Sequence, residues 1–219
     1  NHVGFVKDSL DGILMQKTQF PFEILVGEDE STDGTREICI EYAKEYPDKI
    51  RLFLHSRENN IIVNGLPTPQ FNMLYNIFSA NGKYLALCAG DDVWTDEYKL
   101  QKQVDFLERY PDYGMISSDI SIINEEGKLQ EANKTVLNYR EAGKQEPSFF
   151  DLWHIHMVNA STVCIRTHLM KGLANRIVDE NIWFFEDIWF WLNLVINNKI
   201  KIIYDQTAAY RIHKNNITK

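Results

Sequence analysis

Hydrophobic residues recur along the first half of the chain at helix-like and strand-like spacings in turn. Val6, Leu10 and Leu14 fall at helical spacing, so the chain is expected to open with a helix and no strand before it. Two apolar runs, FEILVG at 22–27 and IRLFLH at 50–55, predict buried strands. A unit of one strand followed by one helix is therefore predicted to repeat.

Helical stripes follow both predicted strands. Asp33-Gly34-Thr35 starts a helix whose apolar face includes Cys39, and a second stripe runs from Phe71 to Phe78 before a third strand, KYLALCA, at 83–89. Strands that alternate with helices require crossover connections, which favour a parallel sheet. The pattern predicts an α/β fold with a mostly parallel, Rossmann-like sheet flanked by helices.

Regular alternation ends after the first half. The polar stretch from Asn124 to Pro147 predicts a long loop or weak hairpin that lines a site. The other predicted elements are a helix through Leu100, Val104 and Leu107, strands at 113–118 and 158–165, a helix through Ile188, Trp191 and Val195, and short strands at 201–205 and 208–213. We predict one domain over 1–219.

Composition narrows the functional classes. The formal net charge of −8 argues against nucleic acid as a partner, because such proteins cluster Lys and Arg to neutralise phosphates. Cys39, Cys88 and Cys164 have no metal-ligand spacing, which predicts reduced core residues and a cytoplasmic location. No apolar run reaches the roughly 18 residues of a membrane span. Any membrane contact, at the inner face, is expected to be peripheral.

The first acidic cluster follows the first predicted strand, and ligands of open α/β sheets bind beyond the carboxyl ends of strands. Asp33 is explained as a helix N-cap, whereas Asp29 is well placed to accept hydrogen bonds from a bound base or ribose. A calcium loop is a competing interpretation of this segment. It fails because its twelfth position, a bidentate Glu in the EF-hand, falls on Ile40.

A second acidic pair, Asp91-Asp92, follows the third predicted strand. Adjacent carboxylates repel each other unless a cation lies beside them, and Mg²⁺ or Mn²⁺ with phosphate oxygens suits such a position. The cation would neutralise charge on a departing nucleoside diphosphate. An acidic turn before a helix N-terminus explains the pair equally well.

The third cluster is Glu186-Asp187, within an aromatic run. Burial among these rings would raise a carboxylate pKa towards that of a general base, although both residues also suit the first turn of a helix. His213, near the end of the sequence, is a candidate metal ligand or phosphate contact, and a lone histidine is as readily structural.

Three segments read together resemble family 2 of the glycosyltransferases, whose catalytic domains adopt the GT-A fold. These segments are EILVGEDESTDGT, GKYLALCAGDDVWTDEYKLQKQVDFLE and FFEDIWFWLNL, and their order and spacing agree with the family. The opening NHVGFVKDSLDGILMQKT resembles the segment that follows the family's first strand. The resemblance therefore implies a GT-A domain that lacks its N-terminal strand. It also implies a nucleotide-sugar-binding half at 1–118 and an acceptor-binding half at 119–219, with the polar segment 124–147 on the acceptor side.

The resemblance also implies roles for individual residues. Asp29 would bind uracil or another base, Asp91 the ribose or metal, and Asp92 the divalent ion, Mn²⁺ or Mg²⁺. Asp187 would deprotonate the acceptor hydroxyl, which attacks the anomeric carbon and inverts it, while Glu186 positions the acceptor. The sequence departs from the family at Pro69-Gln70, where a basic pair is common, and at Ala89, where an acidic residue is common.

The predicted function is transfer of a sugar, by inversion, from a nucleotide-sugar donor to a saccharide or lipid-linked glycan acceptor. The expected donor is a UDP-sugar. One alternative is a catalytically silent module that binds a glycan or nucleotide, which the missing strand and Pro69-Gln70 favour. Another is a nucleotidyltransferase, although the glycine-rich basic loop expected of one is not visible in the sequence.

Overall fold

The computed structural model describes residues 1–130, 143–155, 157–182, 187–214 and 216. The strands are β1 (Ile24–Asp29), β2 (Ile50–His55), β3 (Ile61–Val63), β4 (Leu66–Thr68), β5 (Tyr84–Ala86), β6 (Val93–Trp94), β7 (Tyr113–Ile123), β8 (Cys164–Arg166) and β9 (Lys199–Arg211). The α-helices are α1 (Val6–Leu14), α2 (Thr35–Glu45), α3 (Gln70–Ser79), α4 (Lys99–Arg109), α5 (Phe149–His154), α6 (Thr167–Asp179) and α7 (Ile188–Asn197).

The strands form three hydrogen-bonded groups. β1 and β2 pair in parallel, β3 and β4 form an antiparallel hairpin, and a five-stranded sheet has the order β5-β8-β7-β9-β6. In that sheet β7 and β9 are parallel, while β8 pairs antiparallel with both β5 and β7. The predicted α/β class is confirmed, but the sheet is mixed rather than mostly parallel, because two short strands, β6 and β8, run antiparallel to their neighbours.

The largest core cluster lies where helices cover this sheet. It joins α3, α6 and α7 to the inner faces of β7 to β9 through residues such as Ile77, Met170, Trp191 and Ile200. A smaller cluster around Leu10 and Cys39 packs α1 and α2 together. The helices therefore bury apolar stripes against the sheet and leave the strand ends for polar residues.

Several element boundaries differ from those predicted. β1 begins two residues later than predicted and includes Glu28 and Asp29, and the predicted strand at 158–165 is a 3₁₀ turn, Ala160–Thr162, followed by β8. The two short terminal strands are one strand, β9, which pairs with β7 through register shifts. Apolar residues at 158–165 belong to the core in either conformation, so hydrophobicity alone did not distinguish them.

The sequence prediction also missed α6 and the β3–β4 hairpin. Met170, Ala174 and Ile177 line the buried face of α6 at helical spacing, and Asn64-Gly65 at positive φ forms the turn of the hairpin. β7 crosses the boundary predicted at residue 118, so the two predicted halves share a strand.

The polar segment after β7 is described only in part. Residues 124–130 fold back on β7 through a turn. The backbone carbonyl of Gln145 accepts a hydrogen bond from the Ile202 amide of β9. Residues 131–142 lie outside the described part, so the assignment of 124–147 to the acceptor side stays a prediction. None of the helices described in the structure is long and apolar enough to cross a membrane.

Candidate active site

The acidic turn, Ala89–Asp92, lies beyond the carboxyl end of β5 and is closed by a hydrogen bond from the Asp92 amide to the Ala89 carbonyl. Helix α1 supports it from one side, since Ser9 Oγ donates to the Ala89 carbonyl at 3.0 Å. The two aspartates of this turn have different surroundings.

Asp92 points into the protein and is only 2% exposed. Ser161 Oγ donates to its Oδ2 at 2.5 Å, and the Arg211 amide donates to its Oδ1 at 3.1 Å. Burial raises the pKa of Asp92 to about 6, and the two hydrogen bonds oppose that rise only in part. Both oxygens therefore have protein partners, and the side chain that was predicted to hold the metal anchors the turn.

Asp91 is the aspartate whose side chain lies close to two histidine side chains. Its Oδ2 lies 3.0 Å from Nε2 of His213 and 3.9 Å from Nε2 of His2. His213 is nearly buried, and its ring packs 4.9 Å from the ring of Phe5 on the segment before α1. A Cβ on Gly90 would come within 2.8 Å of His2 Nδ1, so a side chain at this position would displace the His2 ring. The structure thus brings Asp91 and His213 together, and adds His2, which the sequence prediction did not select.

Arg211, at the end of β9, connects this turn to its surroundings. Its Nε donates to the Asp91 carbonyl at 3.0 Å, and its Nη2 donates to Asp8 of α1 at 2.9 Å. Nη1 reaches the carbonyls of Asn124 and Glu125, after β7. This buried guanidinium joins three parts of the chain behind the site. The spacing of apolar and polar residues in the sequence does not predict this role of Arg211.

Asp29 ends β1, next to β2 in the parallel pair. Asn60 Nδ2 donates to its Oδ2 at 2.9 Å, and Arg57 Nε donates to its carbonyl at 3.2 Å. Asp29 Oδ1 and Asn60 Oδ1 are buried and have no hydrogen-bond partner among the residues that the structure describes, and the same holds for Oε1 of Gln70 at the start of α3. Buried acceptors without donors are costly, so these atoms suit a ligand that carries N–H or O–H groups.

The other carboxylates of the first cluster have structural partners. Glu28 is buried, pairs with Arg36 and accepts a hydrogen bond from the Ser31 amide. Asp33 accepts from the amide and hydroxyl of Thr35. Burial alone would raise the pKa of Asp33, but hydrogen bonds from Thr35 and the Val3 amide lower it to about 2. Asp33 therefore stabilises the start of α2, close to the predicted N-cap role, while Gly34 takes the cap position itself.

The first residues of the chain connect the two acidic motifs. Asn1 Oδ1 accepts from the Thr32 amide, and the His2 amide donates to Thr35 Oγ1 at 2.7 Å. The His2 ring faces Asp91. The first two residues of the chain therefore contact both the segment after β1 and the acidic turn.

The third motif is described only in part. Asp187 lies at the N-terminus of α7 and is exposed, so the predicted burial of this carboxylate is wrong. The aromatic residues of α7 itself, such as Trp191, point into the core instead. Glu186 lies outside the described residues, and its role stays a prediction, as does that of Asp187.

No group of three or more His, Cys, Asp or Glu side chains is arranged to hold a metal ion within the ranges that the structure describes. The Asp91–His213 pair nevertheless fits two positions of such a site. Adjacent ligands of an octahedral ion with bonds of about 2.1 Å lie about 3 Å apart, and Asp91 Oδ2 and His213 Nε2 are 3.0 Å apart. A bound diphosphate and water would have to supply the other ligands.

These features define an α/β protein with a polar site at the carboxyl ends of its strands, the position where this class binds nucleotides. The family model for glycosyl transferase family 2 matches residues 1–171. The chain belongs to that family and carries a glycosyltransferase domain, as the three motifs predicted. The match favours sugar transfer over the nucleotidyltransferase alternative.

Relatives and solved structures are consistent with this assignment. An uncharacterized protein of Mycobacterium tuberculosis, Rv1520, is 40% identical over 127 residues, which are 58% of this chain and 34% of that protein. The putative teichuronic acid biosynthesis glycosyltransferase TuaG of Bacillus subtilis is 25% identical over 98% of this chain and 76% of its own length.

The crystal structure of Staphylococcus aureus TarS 1–349 in complex with UDP superposes with a TM-score of 0.63 at 16% identity, over 97% of this chain and 58% of that chain. This likeness confirms the predicted GT-A fold. The chain spans about a third of the length of Rv1520 and little more than half of TarS 1–349.

Proposed function

We propose that this chain transfers a sugar, with inversion, from a nucleoside diphosphate donor to a glycan acceptor, saccharide or lipid-linked. The single observation that carries the proposal is the Asp91–His213 contact of 3.0 Å beside the acidic turn. It places an oxygen and an imidazole nitrogen together where the family's motif calls for a metal and diphosphate.

The donor base is assigned to the end of β1. Asp29 Oδ1 is a buried acceptor without a donor, and the N3–H group of uracil is a donor of the required kind. The UDP complex of TarS supports the same nucleotide. We therefore propose a UDP-sugar as the donor.

The divalent cation, Mn²⁺ or Mg²⁺, is assigned to Asp91 and His213. When bound, it would supply Lewis-acid stabilisation of the charge on the departing diphosphate. Asp92, for which the sequence predicted this role, has both oxygens bonded within the protein and is better suited to hold the turn. His2 supplies a further imidazole on the same side.

The acceptor is assigned to the side of α7. Asp187 is proposed as the base that takes the proton from the attacking hydroxyl, and Glu186 as the residue that positions the acceptor. Exposure of Asp187 at a helix N-terminus leaves it accessible to an acceptor. TuaG is named for teichuronic acid biosynthesis, which supports a cell-envelope polysaccharide as the acceptor class.

The proposal is tested by isothermal titration of the full-length protein with UDP, in Mn²⁺ and in EDTA. The wild type is expected to bind more tightly in Mn²⁺. Asp91→Ala should lose that gain, because it removes a ligand of the cation. Its affinity for UDP in Mn²⁺ is expected to fall roughly tenfold to a hundredfold. Asp105→Ala is the matched control, since Asp105 is exposed on α4 away from the turn.

Binding that does not respond to Mn²⁺ would contradict the metal assignment. Absence of UDP binding in both conditions would contradict the donor assignment and leave the silent binding module as the better explanation. Sugar transfer itself is measured by release of UDP from UDP-sugars with cell-envelope glycans as acceptors. Asp187→Asn should lower kcat by roughly two to four orders of magnitude, the range for general-base catalysis.

A further inference from the structure

A residue far from the acidic turn in sequence makes two hydrogen bonds to it and a third to the strand that follows. Ser161, in the 3₁₀ turn before β8, accepts from the Ala89 amide at 3.1 Å and donates to Asp92 Oδ2 at 2.5 Å through one hydroxyl. Its carbonyl accepts from Trp94 Nε1 at 2.8 Å. One residue therefore contacts the first and last residues of the acidic turn and the strand that follows.

The Ser161 turn is itself rigidly held. Asn159 caps it by accepting from the Ser161 amide at 2.8 Å, and Thr162 Oγ1 donates to the Asn159 carbonyl. Gln103 of α4 donates to the Thr162 carbonyl at 2.7 Å. Ser161 is fully buried, so water does not compete for these bonds. Its hydroxyl is thus a fixed point against which the turn is built.

The direction of Asp91 depends on this fixed point. Asp91 and Asp92 are consecutive, and Ser161 together with the Arg211 amide holds the Asp92 carboxylate inward. With Asp92 held, the backbone of the turn presents Asp91 to His213. Without the Ser161 hydroxyl, Asp92 Oδ2 would be buried with one partner fewer, and the turn would gain freedom to rotate.

We propose that Ser161 is a positioning residue that aims the Asp91 carboxylate at the metal and diphosphate. This inference rests on the proposed function, because it assigns Ser161 a part in the same site. Residues that orient metal ligands without touching the metal typically change metal affinity by about 10-fold to 100-fold when removed.

The test compares Ser161→Ala with Ser117→Ala in the full-length protein. Ser117 is also a fully buried serine, and its hydroxyl bonds Thr162 Oγ1 at 2.8 Å rather than the acidic turn. Isothermal titration measures the affinity for Mn²⁺ in saturating UDP, and the affinity for UDP in EDTA. Ser161→Ala is expected to weaken Mn²⁺ binding about tenfold or more and to change UDP binding in EDTA less than about threefold, while Ser117→Ala changes neither.

Hydrogen–deuterium exchange gives a second measurement that needs no ligand. Ser161→Ala should speed exchange of the Ala89 amide, which loses its acceptor, and Ser117→Ala should not. Unchanged Mn²⁺ affinity in Ser161→Ala would overturn the proposal. So would an equal loss of UDP affinity in EDTA, since that reports general damage to the fold.

The two proposals fail in different ways. A wild type that binds neither Mn²⁺ nor UDP overturns the proposed function, and this inference with it. A wild type that binds both, beside a Ser161→Ala variant of the same affinity, overturns the role of Ser161 alone.

Discussion

The acidic turn and the end of β1 are both acidic clusters at the end of a strand, yet they differ in how their polar atoms are satisfied. In the acidic turn, both oxygens of Asp92 accept hydrogen bonds from the protein. At the end of β1, Asp29 and Asn60 bond each other, and each keeps one buried oxygen without a partner.

This difference shows which parts of the site are complete in the free protein. A buried acceptor without a donor destabilises the fold, so its presence indicates a position that a ligand completes. A dense network without open acceptors indicates a scaffold that holds a neighbouring ligand group, here Asp91, in place. Substitutions of the buried residues that hold the acidic turn should therefore change stability, whereas substitutions at the end of β1 should change nucleotide binding with little effect on stability.

The largest contrast is expected between two arginines. Arg211→Met removes a buried guanidinium that reaches Asp91, Asp8 and the chain after β7, and should cost about 3 kcal/mol of unfolding free energy. Arg57→Met, beside Asp29, removes an exposed side chain and should stay within about 0.5 kcal/mol. Urea unfolding in EDTA measures both. Equal losses would remove the distinction between the regions.

A buried lysine behind the acidic turn should make the stability of the protein depend on pH. Lys99 is fully buried, with its amine 4.3 Å from the Trp94 ring centroid, and burial lowers its pKa to about 8. The unfolded chain then binds more protons than the folded one between pH 8 and 10.5. Wild-type stability should therefore rise across that window by roughly 3 kcal/mol from this group.

Lys99→Met should lack this rise, so its stability relative to the wild type is highest at pH 7 and falls as the pH approaches 10.5. Urea unfolding at pH 7, 8.5 and 10 measures the difference. Lys102→Met is the control, because Lys102 is paired with Asp96 near the surface and its pKa is raised. Parallel curves for the Lys99→Met variant and the wild type would show that Lys99 does not titrate in this window.

The end of β1 should respond in binding. Asp29→Ala is expected to weaken UDP binding by roughly tenfold to a hundredfold, the range for losing a hydrogen bond to a charged group, and to change stability by no more than about 1 kcal/mol. Titration calorimetry and unfolding report the two effects separately. Glu58→Ala is the control, because Glu58 is exposed in the short 3₁₀ helix Arg57–Asn59 that follows β2. A large stability loss with unchanged affinity would reverse the assignment of this region.

The smallest expected effect is on stability, when either of two buried glutamines is replaced. Gln70 has an amide oxygen without a partner, whereas Gln103 accepts from Lys99 and donates to the Thr162 carbonyl. Gln70→Leu should stabilise the free protein by up to about 1 kcal/mol, and Gln103→Leu should destabilise it. Thermal unfolding without ligand decides between these signs. Destabilisation of similar size in both would show that Gln70 has a partner in solution.

Hydrophobic periodicity predicted most elements of this fold because helices and strands bury apolar residues at fixed spacings. α3 and α7 lie where their stripes indicated, and β2 matches its predicted bounds. Periodicity did not separate strand from turn at 158–165, since both bury the same residues there. It also gave no sign that β9 is a single strand, which depends on pairing along β7.

The candidate site was predictable in its motifs and only partly in its geometry. Asp29, Asp91 and His213 were selected from the sequence, and the structure places the last two in contact. Asn60, Ser161, Arg211 and His2 were not selected, because each acts through a partner that is distant in the chain. The exposure of Asp187 was not predicted either, because it depends on how α7 packs.

The sequence by itself determined the family, the α/β class and the acidic motifs at the strand ends, because each is encoded by a local pattern of residue types. Only the tertiary structure decided which of two consecutive aspartates faces the site. That choice depends on a serine and an arginine that folding brings to Asp92 from positions 161 and 211. Hydrogen bonds between residues so far apart in the chain leave no periodic signal in the sequence.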